Sequence, residues 1–325
     1  VSSTEERPKA LANALARLSE SCRQLDRLPE NQALLRRAEG LSHDVSAALA
    51  RARAEPPGLP ALTVNSLGRF HLARGGYALA PCPARKAIAV FRYLLTRGER
   101  MAHKLELAES IWPGSSPKEA THSLHVAIST LRHYLDSTSG ASYLLLTAGS
   151  YRINPAAELA YDAEIFEQNI VRANRLWNDG DLIAADPAYV RAIDSYGGDY
   201  CTADLDFTWA ACEREHHLNG YLAAMYRLAR LRLRQRRYED AAECLTRLLD
   251  RDCYREDVHF HLMVCYCRLG RRWQAVQQFL KCRELLETTM GLEPAPKLQD
   301  LYEAIIESRE NLPGKPDWED PRLPA

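Results

Sequence analysis

The chain has 325 residues, 46% of them hydrophobic and 26% charged, with a formal net charge of −1. That is the composition of an ordinary soluble protein with room for two or three domains, and no stretch approaches the roughly 18 consecutive apolar residues of a membrane span. No apolar signal core opens the sequence, and nine cysteines without a repeated framework suit a reducing compartment. A cytoplasmic protein with no membrane partner is therefore expected.

Proline-rich joints at 54–62 ("AEPPGLPAL") and 153–162 ("INPAAELAYD") divide the chain into three. The first segment, 1–55, reads as a helical hairpin: Leu11, Leu15, Leu18, Cys22 and Leu25 share one stripe, Leu34, Ala38, Leu41, Val45 and Leu49 the next, and Pro29 breaks between them. Its expected role is a packing or dimer arm. The middle segment, 61–155, holds 11 Lys and Arg against 5 Asp and Glu, a net +6, while 156–325 carries −8. A basic segment between neutral and acidic ones points to a localised partner of negative charge, nucleic acid being the commonest.

Within the middle segment, "ALTVNSLGRFHLARGGYAL" interleaves β-branched and aromatic residues with polar ones around Gly75-Gly76, which predicts a small antiparallel sheet. Two helical patterns follow, "ARKAIAVFRYLLTRG" and "HKLELAESIWPG". Ser116, Pro117 and Glu119 then supply a cap, a first-turn proline and a capping-box carboxylate ahead of a third helix, "KEATHSLHVAISTLRHYL" (118–135). On that helix Ala120, Leu124, Ala127, Ile128, Leu131 and Leu135 fall on one stripe, and Lys118, His122, His125, Ser129, Arg132 and His133 on the other. "SYLLLTAGSYRI" predicts a hairpin turning at Ala148-Gly149. Sheet, three helices and hairpin is the order of a winged helix-turn-helix, whose third helix enters the major groove while the hairpin touches the flanking backbone.

The third segment contains a repeat. Shifted by 35 residues, "RLARLRLRQRRYEDAAECL" (227–245) superposes on "LMVCYCRLGRRWQAVQQFL" (262–280), and "WNDGDLIAADPAYVRAI" (177–193) looks like a divergent copy. The period approaches that of tetratricopeptide helix pairs, so a curved interaction platform is predicted over 160–312, with a proline-rich flexible tail at 313–325. No phosphate-binding glycine loop and no Gly-x-Ser-x-Gly elbow occurs, so no enzyme is expected, nor a cofactor. His261 and Cys265, four apart on a helix near Cys253, His259 and Cys267, have the spacing of a partial zinc site. Packing is the better account of them, because no second pair completes four ligands.

"LTVNSLGRFHL", "RKAIAVFRYLLTRGERM", "ESIWPG", "ATHSLHVAISTLRHYL" and "GSYRINP" resemble, in order and spacing, the winged-helix domain of the Streptomyces antibiotic regulatory protein family. "DAEIFEQ", "AIDSYGGDY", "REDVHFHLMVCYCRLGRRWQAVQQF" and "GLEPAPKLQDLYEAI" resemble its companion, the bacterial transcriptional activator domain. The resemblance covers residues 62 to about 310 and implies a winged helix with a small antiparallel sheet (61–155) and a tetratricopeptide-like repeat domain (160–312); with the helical hairpin read at 1–55, a mainly α chain is expected. It implies an activator that binds double-stranded promoter DNA as a homodimer and engages RNA polymerase. Where the family carries several arginines on the third helix, this sequence has Thr121, His122, His125, Thr130 and His133. Threonine is uncharged, and a histidine of ordinary pKa is mostly neutral at pH 7.

Outside that helix, Arg85, Lys86, Arg92, Arg97, Arg100, Lys104 and Arg152 are candidate phosphate contacts, about half of which are assigned to solvating helix surfaces. Two functions stand from the sequence: a DNA-binding activator reading bases with the 118–133 face, and an interaction scaffold that keeps a winged helix without DNA binding.

Overall fold

Alternation of buried and exposed side chains builds the first sheet. Leu62, Val64 and Leu72 point into the core while Thr63 and His71 face outwards, giving β1 (Leu62–Asn65) and β2 (His71–Arg74), joined antiparallel. Gly75 and Gly76, both at positive φ, turn β2 into β3 (Tyr77–Ala78). The computed structural model describes residues 59–136, 142–202 and 207–307; the expected hairpin at 1–55 and tail at 313–325 lie outside the described residues.

Helix α1 (Arg85–Leu95) is buried at every position from Ala87 to Leu95 and forms the centre of the winged helix. A left-handed turn at Glu99 and Arg100 leads to β4 (Met101–His103), and the His103 Nδ1 then accepts from the Leu105 N–H at the start of α2 (Lys104–Ile111). Helix α3 (Pro117–Leu135) opens on the anticipated capping box: the Ser116 hydroxyl and N–H donate to a Glu119 oxygen at 2.6 and 3.2 Å, and the Glu119 N–H donates back at 3.4 Å. β5 (Leu144–Thr147) and β6 (Ser150–Ile153) make the wing, turning at Ala148-Gly149 with both residues at positive φ. β4 joins them antiparallel in the order β4-β6-β5.

β7 (Leu159–Tyr161) pairs parallel with β1 and completes the first sheet in the order β3-β2-β1-β7. That strand runs directly into α4 (Asp162–Asn178), followed by α5 (Leu182–Asp194), α6 (Thr208–Arg234), α7 (Tyr238–Leu249), α8 (Glu256–Arg268), α9 (Arg272–Met290) and α10 (Pro296–Ile306). These helices stack as antiparallel pairs around one core that includes Ala173, Tyr189, Leu228, Leu245, Met263, Phe279 and Leu301. Three pairs, α4–α5, α6–α7 and α8–α9, turn in the same way. A residue at positive φ (Gly180, Arg236, Gly270) donates its N–H three residues back, and the next N–H reaches five back, to Leu176, Arg232 and Tyr266.

The register of the repeat corrects the sequence alignment. Arg236 is equivalent to Gly270, the N-caps are Arg237 and Arg271, and buried Ala241, Leu245 and Leu248 correspond to Ala275, Phe279 and Cys282. The structural period is therefore 34 residues, not 35. The shift of 35 aligned two arginine pairs at the helix junction, which are exposed and carry no packing constraint.

Residues 60–135 belong to one compact unit with the helical repeats. The Asp162 carboxylate, at the head of α4, accepts from the Ser66 and Leu67 N–H groups at 2.8 and 2.9 Å. Arg100 makes a two-pronged contact with Glu164 at 2.7 and 2.9 Å, and Tyr93 meets Trp209 edge-on.

Candidate nucleic-acid interface

Helix α3 is fixed from below and behind. Its six predicted apolar residues, Ala120, Leu124, Ala127, Ile128, Leu131 and Leu135, are all buried, which leaves the opposite face outermost. At its C-terminus the Arg74 guanidinium of β2 donates to the Leu135 carbonyl at 2.7 Å, placing a fixed cation where the helix dipole is negative. The Tyr134 hydroxyl donates to the Ala80 carbonyl at 2.7 Å. Sequence reasoning did not find these two pins, since their partners lie more than 50 residues away along the chain.

Lys118, His122, His125, Ser129 and His133 are exposed and share this outer face. The neighbouring Thr121 and Thr130 hydroxyls bond back to the Pro117 and Val126 carbonyls one turn earlier, at 2.7 and 3.0 Å. Arg132 is half-buried, and its Nε and Nη2 donate to the Leu144 carbonyl at 3.3 and 3.0 Å, tying α3 to the first wing strand. The fork is thus engaged with the protein's own backbone.

The cations predicted outside the helix divide by their surroundings. Arg92 is buried with its guanidinium 3.8 Å above the Phe70 ring. Arg97 packs on Tyr93 at 4.2 Å, 3.7 Å from Glu106, and Arg100 is held by Glu164. Lys86 donates to the Ile111 carbonyl at the end of α2 and lies 4.6 Å above the Phe207 ring. Arg85 and Lys104 are exposed at the first turns of α1 and α2. Arg152 alternates with buried Tyr151 and Ile153 on β6 and so stands on the outward side of the wing, opposite Met101 and Leu145 in register.

The helix with a partial zinc spacing uses its rings for packing. The His259 Nε2 lies 2.9 Å from the Cys253 carbonyl and its Nδ1 2.6 Å from the Gln278 amide, while the His261 Nδ1 is 2.6 Å from the Asp257 carbonyl. Cys265 is fully buried and its thiol is pushed up to about 12 by desolvation. The eight cysteines among the described residues are free thiols.

Residues 161–306 match the family model of the bacterial transcriptional activator domain. The regulatory protein AfsR of Streptomyces coelicolor is 28% identical over 260 residues, covering 78% of this chain and 26% of AfsR. The regulatory protein DnrI of Streptomyces peucetius is 25% identical over 274 residues, covering 81% of this chain and 97% of DnrI. Residues 161–306 are thus like a bacterial transcriptional activator domain, and the chain is similar along most of its length to these Streptomyces regulatory proteins. It spans about a quarter of AfsR and nearly the whole of DnrI. The structure of Mycobacterium tuberculosis EmbR, solved with a low-affinity phosphopeptide, superposes with a TM-score of 0.65 at 21% identity over 77% of this chain and 66% of EmbR, a likeness of fold. The chain thus combines a winged helix with a tetratricopeptide-like repeat domain. Its relatives by sequence are named as regulatory proteins.

Proposed function

We propose that this chain is a transcriptional activator that binds promoter DNA through α3. The observation carrying this reading is the outer face of that helix: Lys118, His122, His125, Ser129 and His133 stand together and exposed on a helix whose other side is wholly committed to the core. In this reading those side chains enter the major groove. Arg152 on the wing, Lys104 at the head of α2 and Arg85 at the head of α1 lie along phosphates, while Arg132 sets the angle between helix and wing. Lys86 acts at most through its position at the foot of α2. The division of labour is an arm at 1–55, a DNA-binding domain at 61–155 and an activator domain at 160–312 that dimerises and meets RNA polymerase, with a tail at 313–325.

The test is a gel shift of the full chain at low salt against the DNA upstream of its own gene and an unrelated fragment of equal length. Replacing His122, His125 and His133 together by Arg adds three permanent cations. Tighter binding is then expected, with the dependence of log K on log salt steeper by up to about 0.9 for each new phosphate contact. Replacing all three by Ala removes the preference for the upstream fragment. If the wild type binds neither fragment and the Arg variant gains nothing, α3 does not read DNA. That outcome favours the second reading, an interaction scaffold with a vestigial winged helix. One observation favours it already: on the outer face of α3 only Lys118 and Arg132 carry fixed charge, and Arg132 is turned to Leu144.

A further inference from the structure

Helices α4 and α6 approach closely where α6 carries Gly220: a methyl there would come within 3.3 Å of the Ile170 side chain and 3.6 Å of the Phe166 ring. One turn earlier on α6, the same approach brings Glu167 of α4 against two consecutive histidines. The His216 Nε2 lies 3.3 Å from Glu167 Oε1 and the His217 Nδ1 lies 3.5 Å from the same oxygen. All three atoms are within 4.8 Å of one another. Adjacent residues on a helix diverge by about 100°, so they converge on one point only by using different reaches. Here His216 uses its distal nitrogen and His217 its proximal one.

His217 is the informative member. Only 3% of the residue is exposed, and it is walled in by the Phe166 and Tyr200 rings, yet its Nδ1 has no aligned hydrogen-bond partner. A buried ring nitrogen left this way is costly unless something else takes its lone pair. Burial also lowers its pKa to about 4, so the ring is neutral at physiological pH. Glu213, one turn before on α6, is close enough for the charges of His216 and Glu167 to act on it, and burial holds its carboxyl above the usual range.

We propose that Glu167, His216 and His217 bind one zinc ion across the α4–α6 seam. The donor set, two imidazoles and a carboxylate, is one zinc accepts readily. Ligands about 2.0–2.1 Å from a tetrahedral zinc stand roughly 3.3–3.4 Å apart, close to the two separations found here. The fourth position falls to water, with Glu213 as a second acidic group at its rim. The ion satisfies the His217 nitrogen and clamps α4 to α6. The head of α4 carries Asp162 and Glu164, which hold the winged helix, so the clamp lies about one helical turn from that junction. The inference is independent of whether α3 reads DNA.

The experiment uses the full chain, stripped with a chelator and titrated calorimetrically with zinc chloride. A parallel titration with Co(II) reports the ligand set by its visible spectrum. One zinc per chain is expected, with a dissociation constant of about micromolar or below, and a tetrahedral Co(II) spectrum lacking thiolate charge-transfer bands. His216→Ala and Glu167→Gln alter partly exposed side chains, so folding is checked by circular dichroism. Each is expected to weaken binding by at least about tenfold. Absence of stoichiometric zinc binding by the wild type overturns the proposal. So does unchanged affinity in both folded variants, or a Co(II) spectrum with thiolate bands, which would put the metal on cysteine.

Discussion

His261 shows what a single buried side chain contributes and when. It sits on α8 with its Nδ1 against the Asp257 carbonyl and the Tyr226 hydroxyl of α6. Asp257 on its own helix, Arg230 of α6 and Lys297 of α10 are the charges that act on it. Desolvation dominates and lowers its pKa to about 4, below the roughly 6.5 of an exposed imidazole, and His259 is shifted the same way. The folded state therefore holds fewer protons than the unfolded chain between these values. Stability is complete above about pH 6.5, falls as the pH drops through the window, and levels off below about 4. A shift of this size corresponds to roughly 3 kcal/mol at most. Urea unfolding of the wild type and of His261→Gln at pH 7 and pH 4 isolates it: the wild type should lose about 2–3 kcal/mol more than the variant over that interval. Equal losses would mean that the ring takes up its proton alike in the folded and unfolded states, so that burial does not depress it.

Residue-level legibility was uneven for a physical reason. The six buried positions of α3 follow from helical periodicity alone, and all six were found. The fate of Arg132 was hidden, because its partner is a main-chain carbonyl on a strand twelve residues later, and a carbonyl has no sequence signature.

At the scale of elements, capping and turn chemistry were readable and long-range pairing was not. Ser116-Pro117-x-Glu119 marked the start of α3, and Ala148-Gly149 marked the wing turn. β4 and β7 went unanticipated: each is three residues long, and β7 joins β1 in parallel across nearly a hundred residues. The helical repeat was visible, but its register was not, since the alignment rested on exposed arginines instead of the turn. The turn geometry leads to a prediction. Gly180 and Gly270 occupy the left-handed position in two turns, whereas Arg236 occupies it in the third at φ 61°. A side chain in that region costs about 1 kcal/mol relative to glycine, and the exposed Arg236 side chain makes no hydrogen bond among the described residues to offset this. Arg236→Gly should therefore stabilise the chain by about 1 kcal/mol and raise the thermal midpoint by about 2–4 °C. A lower midpoint would mean that the glycine's added freedom in the unfolded chain outweighs the relief.

On the scale of the whole molecule, the winged helix and the activator domain meet backbone to backbone. The turn after β1 lies against the loop before Tyr200. The Gly68 N–H donates to the Asp199 carbonyl, and the Cys201 N–H donates to that of Ser66. Two glycines permit this: a methyl on Gly68 would lie 2.7 Å from the Gly197 carbonyl oxygen, and one on Gly197 would lie 2.8 Å from that of Leu67. Main chain on both sides leaves little room to yield. Gly76 offers the matching control, because it has a similar positive φ of 81° against 87° at Gly68 but nothing within 4 Å of its missing Cβ. Both substitutions to alanine incur the left-handed strain of about 1 kcal/mol; only Gly68→Ala adds a collision with the facing main chain. Gly68→Ala should therefore cost at least about 1 kcal/mol more than Gly76→Ala in denaturant unfolding. It should also raise amide hydrogen exchange at residues 66–68 and 197–201, on both sides of the seam, while α3 and the α8–α9 turn stay protected. If the two variants behave alike, the contact does not hold the domains together, and the Asp162, Arg100 and Tyr93–Trp209 contacts must do so. If they differ as expected, α3 and the activator domain move as one body, so that a force on either is felt by the other.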